Sequence, residues 1–498
     1  MKDPLAMTTA GTNLPRKDGS PRRLRWPELL LAGALGMAHV LTSYADPLPD
    51  DIRQAMAAQK VPIRAISLVV QDVNDPQPIL SVEASRARHP ASVIKLLTTL
   101  SGLELLGPDY TWSTEAYRRG PLQNDTLSGD LVIKGYGDPF LVTERFWLFL
   151  RALRDRGVGD IAGSLVLDSS YFETQPGRPG DFDGKPYRVY NAIPDALTLN
   201  FQSTEFQMIT DAEVDGVRLT TMPPLANLSL ENGLRLVSGP CRSEHRYPKF
   251  DIDSGQNGAR VRLTGSLTLE CDKLGLNRLT LPPSTHLYGG FRALWSELGG
   301  QFNGTLQLGR VGPDDVLLYR QSSPPLSELM RGMNKFSNNF MTRQLLLTVG
   351  AEMGGPPGTV AKGREAIQSW LDSHRLALPE LVLDNGAGLS RDTRISAAGL
   401  ARLLQVGYQS PYMPEFISSL PLAALDGTMR RRLKTDVLAG RAHIKTGSLR
   451  DVSAMAGYLT LPGGKRRIVV ALINHPGIRH WQGWEIQDAV LRWAYAQD

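Results

Sequence analysis

The sequence predicts an α/β fold of the α+β type, with one domain interrupted by a β-rich insertion. Near the N-terminus, IRAISLVVQDV (63–73) and PILSVEA (78–84) have the residue types of paired strands, with NDPQ as the turn between them. Near the C-terminus, three consecutive runs also predict strands: AHIKTGSL, SAMAGYLTL and KRRIVVALINH. The helix pattern WEIQDAVLRWAYAQ closes the chain. We expect strands from both ends to join one antiparallel sheet.

The predicted secondary structure changes twice along the middle of the chain. An apolar helix, in HPASVIKLLTTLSGLELLG (89–107), ends at a Gly-Pro stop. Short β-rich runs with polar turns follow, including GDLVIKG and GSLVLDSSYF, and are typical of sandwich-like modules. Helical patterns then return in PLSELMRGMNKF and NNFMTRQLLLTVGAEMGG, which are broken near Ser337. We therefore predict one domain formed by residues 46–110 and 313–498, with the insertion at 111–312.

Composition excludes some classes of function. The 498 residues are 42% hydrophobic and 21% charged, which is typical of a globular protein. The formal net charge is +5, but six basic and three acidic residues lie before Asp46, so the rest carries only +2. Because that part is nearly neutral and has no basic stripe with interleaved aromatic residues, we expect no nucleic-acid partner.

The N-terminus predicts export. RRLRW supplies positive charge, and LLLAGALGMAHVL supplies an apolar core too short to span a bilayer comfortably. Ser43 and Ala45 provide the small residues that a cleavage site before Asp46 requires. We therefore expect a signal peptide at residues 1–45, with an uncleaved N-terminal anchor as the alternative. No later segment is apolar enough to predict a membrane span in the mature chain.

The two cysteines, Cys241 and Cys271, suggest a disulfide in an exported chain. Two unpaired buried thiols are the alternative. The eight histidines are scattered, and neither HExxH nor CxxC occurs, so we expect no metal site. Nothing in the sequence implies an organic cofactor.

Three short motifs carry the chemical information: Ser92-x-x-Lys95, Ser337-Asn338-Asn339 and Lys445-Thr446-Gly447. Each motif alone is weak evidence for catalysis. The first also fits a helix start with a surface lysine, the second a helix cap and the third a turn at a strand end. Together they have the order and the element types found in class A β-lactamases and penicillin-binding proteins. No GxSxG elbow supports a Ser-His-Asp hydrolase.

The first and third motifs fit nucleophilic catalysis. A serine hydroxyl needs a base, and residues three apart share a helix face, so Lys95 can reach Ser92. A lysine is a base only when it is neutral, which desolvation or a nearby cation favours. Lys445 is a candidate for that cation, and with Thr446 it is also a candidate anchor for a substrate carboxylate.

The remaining polar groups have candidate roles around the nucleophile. Ser337 would relay a proton to the leaving amine, and Asn339 would hold the peptide backbone of the substrate. The backbone N–H groups of Ser92 and Ser448 would form an oxyanion hole.

These motifs and their surroundings resemble the low-molecular-mass class C penicillin-binding proteins, the D-Ala-D-Ala carboxypeptidase/endopeptidases of the penicillin-binding protein 4 type. The resemblance extends to GDLVIKGYGDP, DNGAGLSR, SLPLAALDGTMRRRL and HIKTGSLRDVSAMAGYL, and covers nearly all of the mature chain. It implies a transpeptidase/β-lactamase-like domain with two inserted β-rich domains. It also implies a periplasmic DD-peptidase that acts on peptidoglycan stem peptides, is acylated at Ser92 and is inhibited by β-lactam antibiotics.

Two further residues are assigned by the resemblance alone. Asp168, in LVLDSSYF, resembles a position that contacts the distal amine of diaminopimelate, and Arg391, in GLSR, resembles another residue that borders the same pocket. A turn-capping carboxylate is the alternative for Asp168. A surface charge paired with Asp392 is the alternative for Arg391.

The sequence departs from the family pattern in two places. Asn338 stands where Asp is usual, and because that position shapes a loop, we expect activity to survive. Asn385 and Ala387 replace the commoner Gly-Ser pattern and would alter the substrate fit near the pocket.

Other functions remain open at the level of sequence. One alternative is a β-lactamase or esterase on the same scaffold, which rapid deacylation would reveal. Another is a non-catalytic cell-wall binding protein with a decayed site. The aromatic and apolar positions of the C-terminal helix fit packing on a sheet, with attachment to a membrane as the alternative.

Overall fold

The computed structural model describes residues 48–211, 216–242 and 247–497. The predicted signal peptide lies outside these ranges. Within them the α-helices, α1 to α10 in chain order, are Asp50–Ala58, Lys95–Leu106, Thr143–Asp155, Pro283–Glu297, Leu326–Lys335, Asn339–Gly354, Val360–Ser373, Ala397–Gln409, Met413–Ser418 and His480–Ala496.

The strands of the same ranges are numbered β1 to β20 in chain order. They are Ile66–Asp72, Pro78–Val82, Ser113–Arg119, Leu122–Gln123, Thr126–Leu127, Asp130–Gly135, Asp160–Ile161, Leu165–Asp168, Thr204–Asp211, Gly216–Met222, Leu228–Val237, Lys249–Ser254, Ala259–Thr268, Lys273–Arg278, Gln301–Phe302, Leu306–Leu308, Val316–Ser322, Ala442–Leu449, Val452–Thr460 and Arg466–Asn474.

The central sheet combines strands from both ends of the chain. Its order is β18-β19-β20-β1-β2, and all neighbours are antiparallel. Ile66 of β1 lies opposite Ile473 of β20, so the closing contact joins residues four hundred positions apart. The expectation that the two ends build one antiparallel sheet is confirmed.

Helices cover both faces of this sheet. Successive residues of a strand point to opposite faces, and Val469 and Val470 accordingly belong to two different cores. One core includes residues of α2 and α5 to α9, and the other includes residues of α1 and α10. Because neither face meets water, β19 and β20 are buried along almost their whole length.

The C-terminal helix α10 packs on the sheet, as the preferred interpretation predicted. Its Ile486, Val490 and Leu491 are buried in the core beside α1. Among the residues that the structure describes, no helix combines the length and the apolar character needed to cross a membrane.

The β-rich part of the fold contains two groups of sheets. The first has the mixed sheet β16-β8-β6-β3-β17 and the short-stranded sheet β15-β7-β5-β4, with a core to which α3 and α4 contribute Phe146 and Phe291. The second has the sheets β10-β9-β14 and β11-β13-β12, which contribute Phe206 and Val261 to a separate small core.

The last strand of the first group lies beyond the expected boundary of the insertion. β17 (Val316–Ser322) pairs with β3 and so completes a sheet of the β-rich part. A strand belongs with the sheet whose backbone hydrogen bonds it shares. We therefore propose that the second boundary lies after Ser322 rather than at residue 312.

The predicted disulfide is confirmed. Cys241 and Cys271 are bonded, with their Cα atoms 5.1 Å apart. Cys271 ends a 3₁₀ turn directly after β13, so the bond ties the segment after β11 to the end of the neighbouring strand. The small core of this sheet pair has few fully buried residues, which makes a covalent link valuable there.

We predict that replacing both cysteines by serine destabilises this sheet pair. Closing a loop of about 30 residues contributes roughly 3–4 kcal/mol through the entropy of the unfolded chain. Thermal unfolding followed by circular dichroism should show a lower or an additional transition for Cys241→Ser/Cys271→Ser. Wild-type protein with reductant should shift in the same way, and an unchanged melting profile in both samples would contradict the prediction.

Candidate active site

The chain turns sharply before the first motif. Ala91 has φ 46°, a left-handed conformation that is uncommon for a residue other than glycine, and the 3₁₀ turn Ala91–Ile94 leads directly into α2. Burial lowers the pKa of His89, so its ring is neutral at pH 7. The ring accepts the Ala91 N–H at Nδ1 (2.9 Å), so Nε2–H donates to the Ser390 carbonyl (2.8 Å). His89 thereby braces the turn that presents Ser92.

Lys95 is fully buried and lies beside the nucleophile. Its Nζ is 3.1 Å from the Ser92 Oγ and 2.7 Å from the Asn339 Oδ1, and it also contacts the Ala387 carbonyl oxygen. Burial is the main cause that holds the pKa of Lys95 well below its usual value, and the nearby charge of Lys445 lowers it further. The amine is therefore poised to be neutral.

The three contacts of Lys95 fit a neutral amine. A neutral amine has two N–H donors and one lone pair. The carbonyl oxygens of Asn339 and Ala387 can only accept, so they take the two N–H groups. The lone pair is then left for the Ser92 hydroxyl, which can donate its proton to it. This arrangement orients Lys95 as a base toward the serine.

The second motif lies at the junction of α5 and α6. Ser337 has φ 57°, which reverses the chain between the helices. Asn338 is the N-cap of α6, and its side-chain oxygen accepts the Met341 N–H at 3.1 Å. Asn caps a helix about as well as Asp does, so the departure from the family pattern keeps the loop geometry. The Asn339 amide also donates to the Tyr190 carbonyl at 3.3 Å.

The third motif lies on β18, the edge strand of the central sheet. The Lys445 Nζ donates to the Ser337 Oγ at 3.0 Å and to the Thr446 carbonyl at 2.8 Å. Burial lowers the pKa of Lys445 to about 7. Lys445 thus links the second and third motifs and places a titrating cation at the site.

Gly447 permits the close approach of β18 to the nucleophile. A β-carbon at this position would lie 2.7 Å from the Pro90 carbonyl oxygen and 2.8 Å from the Ser92 nitrogen. Both distances are shorter than van der Waals contact allows. The glycine of the motif is therefore required for the edge strand to lie against the start of the helix.

Two contacts at the site were missed from the sequence. The Thr446 hydroxyl lies 2.7 Å from the hydroxyl of Thr428, in a loop that a partly buried ion pair between Lys335 and Asp426 holds in place. The carbonyl of Ala387 contacts Lys95 through the backbone. No motif marks either contact, because neither depends on a characteristic side chain at a fixed spacing.

A cleft of about 420 Å³ opens beside the nucleophile. It brings together five residues that the sequence analysis singled out, Ser92, Ser337, Asn339, Arg391 and Ser448. The other residues of its wall are Phe182, Asp183, Lys185, Tyr190, Gly388, Leu389, Leu449, Arg450 and His480. Neither Asn385 nor Ala387 is among these lining residues, so the loop presents other positions to the cleft.

Asp168 does not belong to this cleft, which corrects the position expected for it. The side chain is buried at the end of β8 and accepts the N–H groups of Ser170 and Val311 at 2.9 Å each. Lys134 lies 4.0 Å away. Because both oxygens serve the local backbone, Asp168 is a turn-capping carboxylate. Arg391 does line the cleft, where its guanidinium stacks on the Phe182 ring at 4.4 Å.

Asp183 is an acidic residue of the cleft that the sequence did not single out. Its carboxylate accepts hydrogen bonds from the Tyr190 hydroxyl at 2.7 Å and the Asn191 amide at 2.9 Å. Desolvation would raise the pKa of Asp183, but these hydrogen bonds outweigh it and the pKa is lowered. Asp183 is therefore ionised at neutral pH, in the same cleft as the cationic Arg391.

Comparison with known proteins gives consistent results. The curated relatives include the D-alanyl-D-alanine carboxypeptidase DacB of Haemophilus influenzae, 24% identical over 89% of this chain and 92% of that protein. They also include the D-alanyl-D-alanine carboxypeptidase of Actinomadura sp. strain R39, 27% identical over 91% of this chain and 85% of that protein.

Solved structures show the same fold. A crystal structure of penicillin-binding protein 4 from Haemophilus influenzae matches with a TM-score of 0.72 at 22% identity, covering 88% of this chain and 98% of that chain. A second structure of that protein, complexed with a β-lactam, matches with a TM-score of 0.69 at 22% identity, covering 89% and 98% of the two chains. The predicted α/β fold class is confirmed.

A family model matches residues 48–497, nearly the whole of the described chain. The resemblance seen in the sequence motifs is thereby confirmed. The chain belongs to the D-Ala-D-Ala carboxypeptidase 3 (S13) family of serine-type peptidases.

Proposed function

We propose that this protein is an exported serine DD-peptidase that removes the terminal D-Ala from peptidoglycan pentapeptides through an acyl-enzyme on Ser92. The observation that carries the proposal is the fully buried Lys95, whose Nζ lies 3.1 Å from the Ser92 Oγ and whose pKa burial holds well below its usual value. Family membership supports the reaction class. The N-terminal export pattern and the family support a periplasmic location.

Acylation begins with proton transfer from the Ser92 hydroxyl to the Lys95 amine. The serine oxygen attacks the carbonyl carbon of the scissile D-Ala-D-Ala bond. The backbone N–H groups of Ser92 and Ser448 stabilise the oxyanion that forms. The C–N bond then breaks, and the proton that Lys95 took up passes to the leaving amine through the Ser337 hydroxyl, which lies 3.0 Å from the Lys445 Nζ. Lys95 is then neutral again for the second half of the reaction.

Substrate binding uses the outer edge of β18 from Lys445 onward, because the start of this edge is already hydrogen-bonded to residues 421–423. An extended peptide can lie along an edge strand and take main-chain hydrogen bonds from it. The terminal carboxylate of the substrate lies near the Lys445 ammonium and the Thr446 hydroxyl. The Asn339 amide holds the peptide backbone on the opposite side.

Hydrolysis of the acyl-enzyme uses the same groups as acylation, with water as the nucleophile and the Ser92 oxygen as the leaving group. A water molecule takes the place of the departed amine and gives a proton to Lys95 as it attacks the ester carbonyl. The Ser92 oxygen leaves and recovers its proton. The products are the shortened peptide acid and the free enzyme.

A β-lactam mimics the D-Ala-D-Ala end of the substrate and acylates Ser92 by ring opening. The leaving nitrogen stays tethered to the adduct, so it obstructs the approach of water and release is slow. The β-lactam complex of the Haemophilus influenzae relative supports this expectation.

The cleft also fits the distal end of diaminopimelate. That end carries an amine and a carboxylate on one carbon, and the cleft offers the Asp183 carboxylate and the Arg391 guanidinium. We propose these two residues as its binding partners, with Asp183 in the role first expected for Asp168. The same recognition would allow cleavage of D-Ala–diaminopimelate cross-links between strands.

Two other functions fit less well. A β-lactamase or esterase would need a group that activates the hydrolytic water after acylation by penicillin. The lining residues of the cleft offer one carboxylate, Asp183, which is already engaged with Tyr190 and Asn191. A decayed cell-wall binding protein would have no reason to keep Lys95 buried and neutral.

We predict that benzylpenicillin adds once to the wild-type protein and not at all to Ser92→Ala. Intact-protein mass measured over time should show a stable adduct of one penicillin. Ser101→Ala is the matched control, because this serine lies on the same helix and its hydroxyl bonds only carbonyls of that helix, those of Leu97 and Thr98. A rapid return to native mass with penicillin consumed would establish a β-lactamase instead.

We predict that kcat/KM for a D-Ala-D-Ala peptide falls as the pH rises above about 7. The Lys445 ammonium that faces the substrate carboxylate loses its proton through a pKa of about 7. On the acid side the rate rises as Lys95 loses its proton, at a pH well below the usual lysine pKa. Rate assays from pH 5 to about 10 would define both the acid and the alkaline limb of the kcat/KM profile.

The variant Lys445→Met keeps the side-chain length and removes the charge. Its residual activity should lack the alkaline fall. Its acid limb should move to higher pH, because the charge of Lys445 lowers the pKa of Lys95. An alkaline limb that persists unchanged in this variant would assign the titration to another group.

We predict that Asp183→Asn weakens the binding of peptides with a free diaminopimelate amine. Losing a charge-assisted hydrogen bond of this kind should raise KM by about tenfold. A peptide whose distal amine is acetylated is the control, and its KM should stay the same in both proteins. An equal loss for both peptides would mean that Asp183 supports only the loop around Tyr190.

A further inference from the structure

A second pocket lies beside the cleft, on the other side of the second motif. Its volume is about 500 Å³, and one of its walls is the run Phe336–Phe340, which contains the second motif itself. Its remaining wall residues come from the β-rich part of the chain: Thr143, Glu144, Val189, Tyr190, Asn200, Phe201, Ser203, Glu205, Met222 and Asn277. Ser337, Asn339 and Tyr190 line both cavities, so the pocket adjoins the cleft.

Because of its position, we assign the pocket to the leaving group of the substrate. The acyl part of the substrate occupies the cleft, with its distal end near Asp183 and Arg391. The leaving amine lies at Ser337, so whatever is attached to that amine extends past Ser337. A D-alanine has only a methyl side chain and would leave this pocket almost unused. A volume of about 500 Å³ fits a much larger leaving group.

The chemistry of the walls changes from apolar to acidic. Phe336 is 72% exposed and Met222 40% exposed, and both offer apolar surface to a methylene chain. Glu144 and Glu205 add two carboxylates to the same lining. Among the described residues that line this pocket there is no lysine, arginine or histidine to balance them. An ammonium or amide N–H at the end of the chain is therefore favoured, and a carboxylate is disfavoured.

The backbone that forms the pocket wall is held in a costly conformation. Asn200, Phe201 and Gln202 all have positive φ angles, of 50°, 58° and 60°. The turn is fixed by hydrogen bonds from the Gln202 amide to Leu281 (2.8 Å) and from the Asn200 N–H to Leu141 (2.8 Å). Conformations of this kind persist where surrounding contacts enforce them, and they cluster at binding sites.

The aromatic ring of this turn connects it to the second motif. Phe201 makes an edge-to-face contact with Phe340, at a centroid distance of 6.2 Å. Phe340 lies in the first turn of α6, next to Asn339. The β-rich part thus contributes a rigid wall that is fixed relative to the catalytic motif.

A buried hydroxyl also marks the pocket. Thr143 is only 7% exposed, and its Oγ1 has no hydrogen-bond partner among the described residues. A buried hydroxyl without a partner is costly.

We infer that this pocket binds the side chain of the leaving D-amino acid and selects one that is long and ends in a cation or an N–H donor. The inference rests on the proposed function and deepens it. The leaving diaminopimelate of a cross-link belongs to this class, because its D-centre precedes three methylene groups and a distal centre with an amide N–H. The pocket is thereby a determinant of endopeptidase specificity.

The test compares three peptides with one acyl part and different leaving groups: D-Ala, D-Lys and D-Glu. Values of kcat/KM are normalised to the fraction of protein that forms the benzylpenicillin adduct. We expect D-Lys to exceed D-Glu by about tenfold, the size of effect that charge complementarity produces in a partly solvated site. In Glu144→Gln/Glu205→Gln this ratio should fall to about threefold or less.

Glu365→Gln is the matched control, because Glu365 is an exposed carboxylate on α7 outside both cavities. The D-Lys to D-Glu ratio of kcat/KM in this variant should equal that of the wild type. Equal rates for D-Lys and D-Glu in the wild-type protein would overturn the inference without requiring any variant to fold. A double variant that changes kcat/KM by the same factor for all three leaving groups would also overturn it. Loss of penicillin binding and of all D-Ala-D-Ala cleavage would instead overturn the proposed function.

Discussion

The burial of the Lys95 amine is the constraint on which the rest of the site depends. An ammonium at this depth would lack the water that normally solvates it, and its three partners are a hydroxyl and two carbonyl oxygens. The surroundings therefore favour the neutral form. Each partner comes from a different part of the chain, namely the turn before α2, the start of α6 and the loop before α8. The base exists only when all three segments are in place.

The packing of the central sheet explains how these segments converge. Helices α2 and α6 pack on one face of the sheet, and β18 forms its edge beside the start of α2. The left-handed residues Ala91 and Ser337 turn the chain at the two points where a motif faces the cleft. Both turns are braced by buried polar contacts. The site therefore combines local backbone strain with a rigid support, which preorganises the nucleophile and its base.

Sequence patterns predicted the motif residues because each motif couples characteristic side chains to a fixed local spacing. They also predicted the sheet built from both ends of the chain, since its strands are short apolar runs bounded by turn residues. The patterns could not place Asp168, because a strand end does not reveal which loop will use the carboxylate. They missed Asp183 and Thr428, which reach the site from loops distant in sequence. The proposed shift of the boundary near residue 312 rests on the pairing of β17 with β3, which no local pattern in the sequence reveals.

The pairing of β1 with β20 has a consequence for how the protein is made. The central sheet cannot close until the last strand, Arg466–Asn474, has been synthesised, whereas the sheets of the β-rich part use strands that all lie before Pro324. Contacts between residues so far apart in sequence form late and slowly. The β-rich part is therefore complete on the emerging chain well before the nucleophile meets the third motif. The acylation site therefore stays unassembled until strands β18 to β20, residues 442–474, have been synthesised, and hydrolytic competence begins only then.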